Sequence, residues 1–266
     1  MNNALQGAHI LVTRPSHQAE NLCQLIEQQG GIAVRFPALE VVGMNPKPEN
    51  PPDYPTIATN LLPKLSNWHW LVFISANAVN FALKANGGKI AQLKAMQIAA
   101  IGQATAKALQ NVGLQANLLP KVGFDSDALL AMPEMQQVKG QSILIVRGQG
   151  GREELANVLR SRGANVDYWE VYQRIIPDVD NTEVLSLLEQ NKLNVIVITS
   201  CEVLQNLLTM LGAGYTKHLT TVSLVVVSGR IKRFAAEMGF TRIAVTEYPS
   251  DSAIIDAVCV VINRVC

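Results

Sequence analysis

The chain has 266 residues, enough for two domains that each bury a core of their own. Its 22 Lys and Arg nearly cancel 21 Asp and Glu, for a formal charge of +1, so there is no overall basic field to drive nucleic-acid binding. Four cysteines, at 23, 201, 259 and 266, lie far apart with no C-x-x-C and no nearby histidine pair, which fits a reducing cytoplasmic setting and excludes a zinc site.

The amino-terminal MNNALQGAHI lacks the basic-then-apolar order of a secretory leader. The longest apolar runs, Val195 to Ile198 and Leu224 to Val227, are strand-sized, so no membrane span is expected. From His9 to Leu39 the pattern is an apolar β-run, a polar turn at Arg14-Pro15-Ser16, an amphipathic helix closed by Gly30, and a second extended run. MNPKPENPPDYPTI, with prolines at 46, 48, 51, 52 and 55, reads as an irregular connector. WLVFISANAVNFAL (70–83) and IAAIGQATAKALQNVGLQANLLPKVGFDSDALL (98–130) follow, each a buried-type strand leading into a helix.

The chain then repeats itself. Ser142 to Tyr172 matches His9 to Leu39 without a gap, with Ile10, Leu11, Arg14, Glu20, Leu22 and Gly30 falling on Ile143, Leu144, Arg147, Glu153, Leu155 and Gly163. After a break at 177–182, VIVITSCEVLQNLL (195–208) matches 70–83 with Ser200 on Ser75, and 224–256 matches 98–130 with Gly239 on Gly113 and Asp251-Ser252 on Asp125-Ser126. The order a, b, a′, b′ predicts two similar α/β lobes with parallel sheets and right-handed crossovers, and a ligand site in the cleft between them. It does not say whether b or b′ completes the lobe of a. Asp125 or Ser126, and Asp251 or Ser252, are expected as helix N-caps.

Helix amino termini offer unpaired amides and a favourable dipole to anions, and in open parallel sheets they gather at the carboxyl edge of the strands. Such turns are Arg14-Pro15-Ser16, Ser75-Ala76-Asn77, Gly102 to Thr105, Arg147 to Arg152, Ser200-Cys201-Glu202 and Ser228-Gly229-Arg230. Arg147-Gly148-Gln149-Gly150-Gly151-Arg152 stands out, since its three glycines permit close backbone approach and two arginines flank them, yet it is neither G-x-G-x-x-G nor a P-loop.

Comparison of the copies separates scaffold from function. Arg14 and Arg147 recur, as structural or surface charges do, whereas Arg152 faces Ala19, Tyr172 faces Leu39 and Thr105 faces Ile231. Ser75 and Ser200 read first as caps. The histidines at 9, 17, 69 and 218 are scattered: His9 borders a strand and the other three are expected in solvent. Glu153-Glu154 belongs to a helical face. With no metal cluster, no G-x-S-x-G elbow and no cofactor motif, positioning must supply most of any catalysis.

ILVTRP (10–15), FISANAV (73–79), AIGQATAKAL (100–109), LIVRGQGGRE (144–153), WEVYQR (169–174), VITSCEVLQNLL (197–208) and VVVSGRIKRFAAEMGF (225–240) together resemble the uroporphyrinogen-III synthase family, in order and over nearly the whole chain. The resemblance implies a Rossmann- or flavodoxin-like lobe from residues 1–35 and 175–266. A second, inserted lobe covers 39–170, and linker strands near 33–42 and 166–175 pair antiparallel. It implies closure of hydroxymethylbilane with loss of water and inversion of ring D, without a cofactor or metal. Position by position, it puts at Tyr172 the group that assists departure of the substrate hydroxyl, and substrate contacts at Ser75, Thr105, Arg152 and Ser200. The turns above add Arg14, Ala76, Gly102, Arg147, Gly148, Cys201 and Ser228 to the expected substrate-binding set. The chain departs from the family at Ile74 and at Gly229-Arg230-Ile231, where hydroxyl side chains occur in some members. The implied partner is the polycarboxylate bilane, received by a cytoplasmic monomer in transient hand-over from hydroxymethylbilane synthase, with no nucleic acid and no membrane. Two readings of the residues stand beside this one: a two-lobed sensor module for small anions, and a nucleotide-using transferase with Gly148 to Gly151 as a phosphate cradle.

Overall fold

A computed structural model describes residues 4–44, 68–88, 93, 96–123 and 125–263; the connector prolines at 46–55 and Cys266 lie outside the described residues. In chain order the first elements are β1 (His9–Val12), α1 (Ser16–Gln28), β2 (Ile32–Arg35), β3 (Glu40–Gly43), β4 (Trp70–Phe73), α2 (Ala76–Ala85), β5 (Gln97–Ala100), α3 (Gln103–Asn111), α4 (Ser126–Leu130), α5 (Pro133–Gln136) and β6 (Ser142–Gly148). They continue as α6 (Glu154–Ser161), β7 (Asn165–Ile175), α7 (Thr182–Glu189), β8 (Leu193–Ile198), α8 (Cys201–Leu211), α9 (Thr216–Thr221), β9 (Ser223–Val226), α10 (Gly229–Glu237), β10 (Ile243–Val245) and α11 (Asp251–Asn263).

Two compact units result. One is Met1–Glu40 with Ile175–Cys266, and the other is Val41–Arg174. The first unit holds a sheet in the order β10-β9-β8-β1-β2, and the second a sheet in the order β3-β7-β6-β4-β5. Block a is therefore completed by b′, and a′ by b. The match extends to the edges: Leu118 makes a parallel bridge to Ala99 beside β5, where β10 lies beside β9.

Alternation along the strands explains why helices cover both faces. In the first sheet Leu11, Ile196, Ile198, Leu224 and Val226 pack under α7 to α10, while Ile10, Val12, Val195, Val197 and Val225 pack under α1 and α11. In the second, Leu71, Phe73, Leu144 and Val146 meet α2 and α3, while Trp70, Val72, Ile143 and Ile145 meet α4, α5 and α6. Strands buried on both faces read as continuous apolar runs, as β4 (WLVF) and β9 (SLVV) do. The helices that follow β1 and β6, and those that follow β5 and β9, close on left-handed glycines at equivalent places, Gly30 with Gly163 (φ 78° and 87°) and Gly113 with Gly239 (φ 76° and 95°).

The start of each central strand is held alike by different chemistry. Asn194 Oδ1 accepts from the His9 amide at 2.8 Å, and in the equivalent place His69 Nδ1 accepts from the Ser142 amide at 3.0 Å. His69 is exposed, but its ring is a strand-end acceptor as well as a solvated group. The long run expected over 33–42 is two strands, with Phe36 and Ala38 donating to the carbonyls of Val12 and Thr13 between them. β3 then lies beside β7 in the second sheet, where the Met44 amide donates to Val171 O at 3.2 Å.

Candidate functional site

In each sheet the chain leaves the middle in both directions, and the crevice outside the carboxyl ends of the two strands at that reversal is where open α/β sheets bind ligands. In the first unit those strands are β1 and β8; in the second they are β6 and β4. Arg14 and Ser200 follow the first pair; in the second, Arg147 and Gly148 end β6 and Ser75 follows β4.

Four of the expected turns are built to one plan. Ser75, Gly102, Ser200 and Ser228 cap α2, α3, α8 and α10 in extended backbone, with φ from −162° to −155° and ψ from 155° to 173°. The three serines each accept from the amide three residues on, at 3.0 Å for Ser75, 3.1 Å for Ser200 and 3.4 Å for Ser228. One first-turn amide is thereby satisfied, and the others remain for a ligand that can reach a dipole end. Ala76 and Cys201 begin their helices, and Thr105 is buried in the first turn of α3, 4% exposed. Asp125 caps α4 through Oδ1 as expected, 2.9 Å from the Ala128 amide. At α11 the expectation fails: Ser250 Oγ accepts from the Ala253 amide at 3.3 Å, because the Asp251 carboxylate is drawn away to Arg14 and Asn21.

Tyr172 owes its position to a β-bulge. Along β7, Val166 and Tyr168 pack toward α4 to α6, and Trp169 and Val171 toward α2 and α3. Regular alternation would return Tyr172 to the Tyr168 side. The register against β6 shifts instead, from Arg147 opposite Glu170 to Gly148 opposite Tyr172, and Tyr172 joins Trp169 and Val171 on the α2 side. Bulges re-aim side chains in this way. The ring, 3% exposed, lies over Gly148 with its centroid 5.7 Å from that of Phe81, and the phenol oxygen is 3.3 Å from Ser75 Oγ.

The glycine-rich turn is not the anion cradle its sequence suggested. Gly148 is glycine because the Tyr172 ring occupies the space of a side chain. α6 begins only at Glu154, beyond the glycines, and the Gly150 amide donates to Glu170 Oε1 at 3.3 Å. An internal carboxylate thus sits where a phosphate would, which removes the support for a nucleotide site. Glu170 also meets Arg147 Nη2 at 3.3 Å, and Arg147 Nη1 lies 3.0 Å from Glu153 Oε1. The Arg147 guanidinium stacks 3.9 Å from the centroid of Tyr168, whose hydroxyl donates to Glu153. That hydrogen bond, ahead of the Arg147 charge, holds the Glu153 carboxyl below the usual range, while burial and the Glu153 contact push the Tyr168 phenol up.

Arg147 is 5% exposed and Arg14 is paired to Asp251, so neither can take a substrate carboxylate without giving up a partner. Arg152 is exposed, and among the described residues none is paired with it. Sequence reasoning missed Glu170 and Phe81; the signal for Glu170 was its place opposite Arg147 once a′ is paired as parallel strands.

A hollow of about 390 Å³ lies at the other edge of the first sheet, among Leu188, Leu193, Asn194, His218, Val222 and Arg242. The ends of α7, α9 and α11 surround it, and the two basic groups complement their carbonyl dipoles. Asn194 Oδ1 is spent on the His9 amide, and the hollow holds none of the expected site residues. Among the described residues no three His, Cys, Asp or Glu side chains converge on a metal position, Cys23, Cys201 and Cys259 are free thiols, and no helix is long and apolar enough to cross a membrane.

Fold and site together define a two-unit, doubly wound α/β protein with helix starts capped by serine or glycine and a buried tyrosine at one switch point. Its sequence matches the family described as uroporphyrinogen-III synthase HemD over residues 20–256. It is 34% identical over 252 residues to the uroporphyrinogen-III synthase of Escherichia coli, covering 93% of this chain and 98% of that one, and 35% identical over 253 residues to that of Salmonella typhimurium, with the same coverage. The fold is shared with a crystal structure of a mutant uroporphyrinogen III synthase from Thermus thermophilus, with a TM-score of 0.63 at 17% identity over 97% of this chain and 100% of that chain. The chain belongs to the uroporphyrinogen-III synthase family, the cyclising lyases of tetrapyrrole biosynthesis, whose substrate is a small tetrapyrrole.

Proposed function

We propose that the chain closes hydroxymethylbilane to uroporphyrinogen III and that Tyr172 assists the first step. The observation that carries this reading is the re-aimed phenol at the β4–β6 switch point, 3.3 Å from the cap hydroxyl of Ser75. A phenol is too weak an acid to protonate the leaving group outright, but a positioned O–H donates a hydrogen bond to the hydroxyl as the pyrrole nitrogen pushes it off. The azafulvene-type cation left behind is attacked by the substituted carbon of ring D, giving a spiro intermediate that fragments and recloses with ring D inverted. The proton released when the last pyrrole regains aromaticity balances the departed hydroxide, so the net change is loss of water.

The substrate's acetates and propionates are taken up by helix-start amides at Ser75-Ala76, Gly102 to Thr105, Ser200-Cys201 and Ser228, with Arg152 as a free cation. Arg14 is committed to Asp251 and Arg147 to Glu153 and Glu170, and Gly148 makes room for the Tyr172 ring, so these three serve the scaffold. The reaction needs no electron sink and no redox partner, so the chain works without metal or organic cofactor. It acts as a cytoplasmic monomer that receives the bilane in transient hand-over. The test is to supply hydroxymethylbilane and separate the cyclised isomers: the type III isomer should predominate, whereas type I alone, the product of unassisted closure, would reject the assignment.

A further inference from the structure

We infer that Glu170 is a positioning residue for Tyr172, acting through the bulge; this rests on the reading of Tyr172 given above. A bulge leaves an extra residue unpaired and needs contacts that hold it in one form. Glu170 is the last residue of β7 in regular register with β6. Its Oε1 lies 3.3 Å from Arg147 Nε and 3.3 Å from the Gly150 amide, so one carboxylate ties the end of β6 and the turn beyond it to the strand that carries the bulge. On the far side of the bulge the Gln149 amide donates to Tyr172 O at 2.7 Å. The residues between these ties have no freedom to slide back to plain alternation, which would carry the phenol to the opposite face of the sheet. Gly148, lying between them, is the floor under the ring.

The internal repeat supplies an independent observation. In the first copy the positions of Glu170 and Tyr172 are occupied by Pro37 and Leu39, and Arg14, the counterpart of Arg147, pairs with Asp251 instead. The pair Glu153 with Tyr168 does have a counterpart, Glu20 with Arg35 at 2.8 Å, so that contact belongs to the shared scaffold. The carboxylate at the bulge occurs only in the copy that has a phenol to aim.

Steady-state rates of Glu170→Gln, Tyr172→Phe and the double variant test this as a cycle, with Arg147→Lys run in parallel should Glu170→Gln fold poorly. A residue that acts by aiming the phenol should lower kcat by about tenfold and leave KM within about twofold: misplacement by an ångström can cost as much as about 10²-fold, and the loss cannot exceed that from removing the hydroxyl itself. On the Tyr172→Phe background the same change should be nearly silent, because there is no hydroxyl left to aim. Equal losses on both backgrounds would overturn the role of Glu170 and leave that of Tyr172 standing, as would a fully active Glu170→Gln. A silent Tyr172→Phe would instead overturn the reading of Tyr172 and this inference with it.

Discussion

The ring of Tyr172 rests on the backbone of Gly148, so closely that a Cβ at residue 148 would stand 2.6 Å from Cζ and still nearer to Cε2. Neither ring nor strand can yield cheaply, since the ring is buried against Phe81 and the strand is paired on both sides. Gly148→Ala should therefore lower stability by about 1–3 kcal/mol, as overpacking does, and cut the rate of type III formation at least as much as removing the phenol hydroxyl. Thermal unfolding and initial rates measure the two effects. A variant with native stability and native rate would show that the ring has another place to go.

The duplication made much of this fold legible: the four blocks, their strand-helix order, the caps at Ser75 and Ser200 and the recurring glycines at the ends of helices follow from pattern and spacing. What spacing could not supply was the partner of each block, because a pairs with b′ across most of the chain; the family resemblance implied that pairing, and the strand order shows it. The glycine turn misled for a different reason. Glycines that let a ligand approach and glycines that let a tyrosine ring approach look alike in sequence, and the carboxylate that fills the turn, Glu170, comes from a neighbouring strand. Asp251 was misread likewise, since a cap and an ion-pair partner both stand at a helix start.

Ser75 and Ser200 occupy equivalent positions and make the same cap, yet only Ser75 touches the phenol. Replacing either by alanine should cost about 0.5–2 kcal/mol of stability. Ser200→Ala should keep its rate, because the amides at Cys201 and beyond are unchanged, while Ser75→Ala should lose a few-fold through the freed phenol. Matched denaturation and rate measurements on the pair decide this, and equal rates would confine Ser75 to capping.

The Arg14–Asp251 pair should be visible as acid sensitivity. Burial would raise the Asp251 carboxyl, but hydrogen bonds from Asn21 and Arg14, with the Arg14 charge, outweigh it and hold the group below the usual carboxylate range. A depressed folded-state pKa contributes stability in full above the unfolded value and loses it as pH falls through the folded one. The melting temperature of the native chain should exceed that of Asp251→Asn near neutrality, and the gap should close as pH falls below about 4, where an unfolded aspartate is half protonated. A gap independent of pH would mean that the charge of Asp251 contributes nothing.

Tyr172→Phe is the decisive substitution for the chemistry. It removes one oxygen from a ring whose packing against Phe81 and Gly148 is otherwise kept, so the variant should fold and melt as the native chain does. If the phenol stabilises the departing hydroxyl, the rate of type III formation should fall about ten- to a hundred-fold, reaching only the low end of general-acid effects because the bound geometry is still enforced. KM should change little, since the hydroxyl contributes in the transition state more than in the ground state. The competing possibility is a tyrosine kept for packing, whose hydroxyl only satisfies Ser75. In that case Tyr172→Phe would retain a rate within about a factor of two of native, and the bulge would be a feature of sheet geometry with no part in the reaction.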